Sequence, residues 1–374
     1  MRVLHAVTLH SPTHAFGGPV RVALNLSRGL RERGHEARLL ALGDGFGGPL
    51  PTEVEGVPAR LFRARRMLPL GFSGITSPAL IAAAGRLVRD ADLVHVHLAR
   101  DLVTLPVALA ALRAGKPLVL QTHGMVDPSD RLLAKVLDAL AVRRVLRRAS
   151  AVLYLTDHER RGLEAVAPGR PLRLVRLVNG VPAQEARPTP SGPPRILYAA
   201  RLQARKRPQD FVAAVPEILR HHPEAEFVLA GPDEGELASV QGLISGLGLG
   251  ERVHCPGSLS SGEMLAELRH AHVYVLPSVD EPFPMSVLEA LAAGTPAVVT
   301  HSNGLARDIA DAGAGRVVGG AADLASGVLE LLDPGAGEAA SAAARKLAAE
   351  AFSMDAVLDT LLSVYARCYA GTQA

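Results

Sequence analysis

Apolar positions along the first half of the chain fall into two alternating patterns. Short apolar-rich runs at Val3–Thr8, Ala37–Leu42, Leu93–His97, Leu118–Thr122, Ala151–Leu155 and Arg173–Leu177 read as strands. Between them lie stretches such as Val20–Arg33, entered through a Gly-Gly-Pro turn, where apolar residues recur with helical spacing. Near-continuous apolar runs are the habit of strands buried on both faces, as in a parallel sheet covered by helices. A second series follows, with strands expected at Arg195–Ala199, Glu226–Ala230, Arg252–Cys255, Val273–Leu276 and Ala297–Thr300. The chain closes with a strongly helical stretch from Ala339 to about Tyr369.

The two series are separated by residues 182–194, whose prolines fit neither a helix nor a central strand and mark a linker. With 374 residues the chain exceeds one ordinary core. The expected fold class is therefore α/β, with two Rossmann-like doubly wound domains facing across a cleft. The domains are residues 1–185 and 186–354, with a terminal helix, about 355–374, free to return to the first. In such sheets ligands bind outside the carboxyl ends of the strands.

Composition narrows the partners. Aromatics make up only 3% and tryptophan is absent, which argues against stacking platforms for nucleic acid. Cys255 and Cys368 form no ligand pattern or disulfide framework, so a reducing compartment is expected. The N-terminus reads as a strand rather than a signal peptide, and no apolar run approaches the ~20 residues that span a bilayer. A cytoplasmic protein is the expectation, with room for attachment to the inner face of the membrane. The net charge of +3 is uneven, since residues 1–185 carry +11 and the remainder −8. A phosphate-bearing substrate or an anionic membrane surface suits that asymmetry.

Candidate chemistry concentrates at a few turns. In Glu281-Pro-Phe-Pro-Met-Ser-Val-Leu-Glu289, Pro284 fits the first turn of a helix. The amides of Met285, Ser286 and Val287 would then point from the helix N-terminus, a ready site for a pyrophosphate. Glu289, two turns on, could accept ribose hydroxyls, and Glu281 sits just before the helix. Arg201 ends a strand and Lys206 follows five residues later, so two cations stand where a departing diphosphate would need them without a metal. Arg205 and Arg207 read as surface charges. Gly17 and Gly18, in Phe16-Gly17-Gly18-Pro19, permit close approach of backbone to a ligand, or simply a tight turn. His123, in Gln121-Thr122-His123-Gly124-Met125, emerges at a strand end, as a ligand contact or a capping histidine. His95 and His97 share one strand face but lack a third ligand nearby in sequence, so no metal site is expected. Asp90-Ala91-Asp92 precedes a strand and reads as a solvated turn.

The paired-glutamate segment, Arg201 with Lys206, Gln121–Met125 and the Gly17–Gly18 loop resemble the motifs of family-4 retaining glycosyltransferases with the GT-B fold, over almost the whole chain. The resemblance implies transfer of a sugar from a UDP- or GDP-linked donor to an acceptor hydroxyl, without a cofactor. It puts the acceptor side in the first domain and the nucleotide sugar in the second. It assigns Arg201 and Lys206 to the phosphates, Glu289 to the ribose, Glu281 and His123 to the donor sugar, and Gly17–Gly18 to the approach over the sugar. Pro284 stands where that family commonly has glycine; where it commonly has glutamate, Arg307 stands or Asp308 shifts into the role, which leaves donor selectivity open. An epimerase acting on a nucleotide sugar, an idle nucleotide-sugar-binding protein, and tailoring of a small secondary metabolite stay open beside glycan or exopolysaccharide assembly. A basic helix over Arg131–Arg148, interleaved with leucines, could rest on anionic lipid near a lipid-linked acceptor, or be a solvated cationic face.

Overall fold

The structure is a computed structural model that describes residues 1–12, 17–67, 74–185 and 192–373. Phe16 and residues 186–191 of the proline-rich segment lie outside the described residues. The chain forms two compact units, Met1–Gly180 with Met354–Ala374, and Val181–Ser353. The first unit thus ends at Gly180, ahead of the proline-rich segment and five residues before the expected boundary at 185. Gly180 packs against Met354 so closely that an added Cβ would stand 3.1 Å from the Met354 Cα.

The strands of the first unit are β1 (Arg2–His10), β2 (Glu36–Gly43), β3 (Glu53–Val54), β4 (Val57–Arg63), a small antiparallel pair β5 (Arg65–Arg66) and β6 (Ile75–Thr76), β7 (Leu93–His97), β8 (Leu118–Gln121), β9 (Ala151–Tyr154) and β10 (Leu174–Arg176). The main sheet runs β3-β4-β2-β1-β7-β8-β9-β10. Every pairing in it is parallel except β3 with β4. The second unit holds β11 (Arg195–Ala199), β12 (Glu226–Ala230), β13 (Val253–Gly257), β14 (Val273–Leu276), β15 (Ala297–Thr300) and β16 (Gly315–Val318), in the parallel order β13-β12-β11-β14-β15-β16. All residues of β7, β8, β14 and β15 are buried, as central strands covered on both faces must be. Strand order reverses between β1 and β7 in one unit and between β11 and β14 in the other. Those are the topological switch points at which doubly wound sheets open a crevice.

Several boundaries differ from the sequence expectation for identifiable reasons. β4 was not anticipated because Val-Pro-Ala-Arg-Leu-Phe-Arg mixes polar and apolar positions on the outer side of the sheet. Gly17, Gly18 and Pro19 form the first turn of the helix Gly17–Glu32 rather than a loop before it. The helical C-terminus is two helices, Pro334–Ala351 and Met354–Gln373. They break at the buried Phe352, whose carbonyl accepts the Val181 amide at 3.0 Å. The last helix packs on the first unit: Leu358 fills the space beside Gly29, and Arg33 pairs with Asp355 and Asp359.

Candidate active site

The second unit builds its site at the β11/β14 switch point. After β11 the chain passes through Arg201, then a single tight turn Ala204–Lys206, and enters the helix Pro208–His221. The Leu202 amide donates to the Pro232 carbonyl at 2.8 Å. Gly231 closes on the same strand end, where an added Cβ would stand 1.9 Å from the Ala200 carbonyl oxygen. The loop after β14 is tied equally tightly. Thr300 Oγ1 donates to the Ser278 carbonyl at 2.6 Å, and the Gly304 amide donates to the Glu281 carbonyl at 2.7 Å. Any side chain at Gly304 would collide with Pro282, whose carbonyl oxygen lies 1.8 Å from the position of a Cβ.

This backbone brings two of the expected residues together. The Lys206 ammonium donates to Glu281 Oε2, and both side chains are buried. Arg205 joins them, with its guanidinium 3.8 Å from the same carboxylate oxygen and a hydrogen bond to the Asp280 carbonyl at 3.1 Å. Arg205 is exposed, as expected of a surface charge, and lies beside the buried pair. Burial pushes the Lys206 ammonium below its ordinary pKa; Glu281 opposes the shift, and Arg205 and Arg201 add to it. Arg201 is half-buried, with its guanidinium 3.0 Å from both carboxylate oxygens of Glu234. The result is a strand-end cluster of three cations held by two carboxylates.

The helix Met285–Ala293 follows directly. Pro284 is its N-cap, at φ −78° and ψ 110°, one position earlier than expected. Proline offers no side-chain oxygen, so no side chain caps this helix, and the Met285, Ser286 and Val287 amides occupy its first turn. The Tyr274 hydroxyl on β14 lies 2.8 Å from both the Ala199 carbonyl and the Ser286 hydroxyl, locking the helix start to the end of β11. Glu289 is half-buried on this helix, and its charge helps to raise the Tyr274 pKa, behind the larger effect of burial. Arg307 is exposed and pairs with Asp311 at 3.4 Å.

In the first unit, His123 follows β8 with a left-handed backbone at φ 51°, and Gly124 continues it at φ 73°. Buried Glu159 holds this turn: one carboxylate oxygen accepts from Thr122 Oγ1 at 2.5 Å and from the Gly124 amide at 2.7 Å, and the other from the Leu155 amide at 2.7 Å. His123 Nε2 lies 2.8 Å from His97 Nδ1, and His97 Nε2 lies 3.2 Å from His5 Nδ1. His95 Nδ1 meets the Tyr365 hydroxyl at 2.6 Å. Burial pushes His5 and His123 down to about 3. His95 and His97 fall well below the ordinary range, through burial first and neighbouring imidazoles second.

The expectation that His95 and His97 lack a third partner is corrected here. His5 stands opposite His95 in the β1/β7 register, and the ligand nitrogens of His5, His95 and His97 lie within 4.8 Å of one another, close enough to hold a metal ion. Sequence distance hid it, as it hid Glu159, Glu234 and Tyr274; only fold topology brings these together. Gly18 lies at the start of its helix, where an added Cβ would meet nothing within 4 Å. Asp92, by contrast, accepts from the Arg2 amide and guanidinium at 2.8 and 2.7 Å, as a helix-to-strand turn would.

The basic segment is helical over Leu132–Leu137 and Arg143–Arg148, with a π-type turn at Asp138–Val142 between them. The wide turn lets buried Asp138 reach Arg100 at 2.8 Å. Leu132, Leu133, Val136 and Leu140 are exposed, and Arg143, Arg144, Arg147, Arg148 and Arg170 line one surface pocket beside them. Among the described residues no helix is long and apolar enough to cross a membrane.

Comparison with known proteins agrees with this geometry. Residues 17–180 match the glycosyl transferase 4-like domain, and residues 183–347 match glycosyl transferases group 1. The α-D-kanosaminyltransferase of Streptomyces kanamyceticus is 30% identical over 67% of this chain and 70% of its own. The D-inositol 3-phosphate glycosyltransferase of Kineococcus radiotolerans is 28% identical over 97% of this chain and 94% of its own. Among solved structures, Anabaena HepE in complex with UDP and glucose superposes with a TM-score of 0.78 at 19% identity, covering 98% of this chain and 99% of that one. Two parallel doubly wound units, a strand-end cation cluster beside an uncapped helix, and these relatives place the chain in the glycosyl transferases group 1 family, with the family-4 type of N-terminal domain and the GT-B fold.

Proposed function

We propose that this glycosyltransferase takes a UDP- or GDP-linked hexose and transfers it to an acceptor hydroxyl with retention of anomeric configuration. The observation that carries the reading is the buried Lys206–Glu281 pair at the β11/β14 switch point, flanked by Arg201, Arg205 and the first-turn amides of Met285–Ala293. These cations and amides neutralise the charge that develops on a diphosphate as the bond to the sugar breaks. The same residues supply the electrostatic work that a metal would otherwise do, so the reaction is proposed to be metal-independent. Glu289 takes the ribose hydroxyls. Glu281, oriented by Lys206, and His123 of the first unit take the sugar, and Gly17–Gly18 its approach.

No carboxylate is assigned as a covalent nucleophile. The acceptor attacks the face from which the diphosphate departs, through a short-lived oxocarbenium-like ion pair, and the leaving phosphate takes the acceptor's proton. HepE is described in complex with UDP-glucose, which supports a nucleotide-sugar donor here. Glycan or exopolysaccharide assembly is the proposed setting, in the cytoplasm or at the inner membrane face. The exposed leucines beside the arginine cluster favour attachment to an anionic lipid surface that carries the acceptor.

The test is nucleotide release from a panel of donors, with and without candidate acceptors and with a chelator present, followed by anomeric analysis of the product. Acceptor-dependent release that survives chelation, with the anomeric centre retained, is expected. Conversion of the donor without an acceptor would indicate an epimerase, and binding without release an inactive receptor.

A further inference from the structure

The first unit contains a chain of three imidazoles, His5, His97 and His123, that begins in the core and ends at the β8 turn. Its members are contributed by β1, β7 and the β8 loop, and each link is one ring nitrogen facing another, at 3.2 and 2.8 Å. The His97 and His123 rings stack with 5° between their planes. His5 and His97 are buried with other ring nitrogens as their hydrogen-bond partners among the described residues, where a charge would be costly; each neutral ring carries one N–H and one bare nitrogen. Every link then needs one donor and one acceptor, and the three tautomers are not independent. Only two orders satisfy both links. In one, His5, His97 and His123 all carry the proton on Nδ1; in the other, all carry it on Nε2.

The inner end of the chain chooses between them. His5 Nε2 is buried with no hydrogen-bond partner among the described residues. In the second order that position would be an N–H with no acceptor. In the first it is only a bare lone pair, and orphaned buried donors are the rarer of the two in proteins. The His97 nitrogens are both engaged along the chain, so the choice passes unchanged to His123. Glu159 fixes the backbone of that turn from the other side, through Thr122 and Gly124.

We infer that His5 and His97 are positioning residues that set the tautomer of His123, so that its outer nitrogen, Nδ1, presents an N–H donor. His123 then selects a hydrogen-bond acceptor, such as a hydroxyl or ether oxygen of a sugar. This rests on the reading of His123 as a donor-sugar contact; the tautomer order itself does not.

Long-range proton–nitrogen correlation spectra of the unaltered full chain, with isotope-labelled histidine, read the tautomers directly. The expected result is the Nδ1–H form for His5, His97 and His123. An Nε2–H form at His123, a mixture of forms there, or a stoichiometric metal found by elemental analysis of the purified protein would overturn the proposal. A kinetic cycle supplies the second measurement. His97→Phe keeps a stacked ring but removes both links and is expected to lower kcat/KM for the donor about tenfold. In a His123→Ala background the same change should have no further effect, because its influence passes through His123. Full additivity would sink the positioning role. If His123→Ala alone leaves turnover intact, the assignment of His123 to the donor fails while the tautomer result stands.

Discussion

Lys206 and Glu281, 75 residues apart in sequence, share one buried ion pair at the strand-order reversal of the second unit. Neither side chain could be buried alone, because an unpaired charge in that position carries a large desolvation penalty. The pair therefore fixes both groups before any ligand arrives. Lys206→Ala is expected to reduce turnover about 10²–10³-fold, by analogy with loss of a preorganised donor to developing negative charge. It also leaves Glu281 with only the longer contact to Arg205, so a loss of stability on the order of 1–3 kcal/mol should accompany it. Measuring kcat and a denaturation midpoint on the same variant separates the two effects. A near-normal kcat would remove Lys206 from the phosphate site.

Glu159 offers a different kind of test, since it reaches His123 only through the flanking residues Thr122 and Gly124. Its two carboxylate oxygens accept three hydrogen bonds, two of them from the turn that carries His123. Glu159→Gln replaces one acceptor oxygen with an amide donor and sets it against a donor. The turn would loosen, and kcat/KM for the donor should fall about tenfold while the fold is kept. Unchanged kinetics in a variant that folds normally would show that the β8 turn needs no such clamp.

What the sequence disclosed and what it withheld follow the range of the interactions. The strands β7, β8, β14 and β15 were legible because each is a short buried run, and the two series with a proline-rich break indicated two units. Arg201, Lys206, Glu281 and His123 stood out because they sit at strand ends beside glycine, proline or a helix start. Their partners did not. Glu234, Arg205 and Glu159 resemble ordinary surface charges in sequence, and only the sheet order shows which carboxylate meets which cation. His5 was invisible for the same reason, lying opposite His95 across a parallel pairing that no local pattern specifies. The helix boundary at Pro284 shifted by one residue because the fixed φ of proline fits both a first helical turn and the extended residue before it, and Pro284 takes the latter with ψ 110°.

The exposed Leu132, Leu133, Val136 and Leu140 predict a membrane-facing surface that can be weakened without touching the cation cluster of the second unit. The full chain should co-sediment with vesicles containing anionic lipid and be released as salt shortens the Debye length below ~8 Å. Leu140→Asp combined with Arg144→Glu should reduce that binding several-fold and leave turnover on a soluble acceptor unchanged. Equal binding to neutral and anionic vesicles would argue against the surface.

The buried histidines make stability depend on acid in a direction that can be worked out. Burial depresses His5 to about 3 in the folded chain, whereas an unfolded histidine titrates near 6.5. Between those values the unfolded chain binds more protons, so stability rises with pH across that window. The contribution is complete above about 6.5 and is lost progressively as the pH falls toward 3. At about pH 5 a single such group costs on the order of 2 kcal/mol. His95, His97 and His123 shift in the same direction, with Tyr365 the hydroxyl against His95. Denaturant unfolding should therefore show a steep fall in stability between neutral pH and about pH 5. His5→Phe keeps an aromatic ring in place but removes one titrating group, so the slope of stability against pH should flatten even if the variant is less stable throughout. An unchanged slope would mean that His5 is protonated in the folded chain, and the neutral imidazole chain would have to be abandoned.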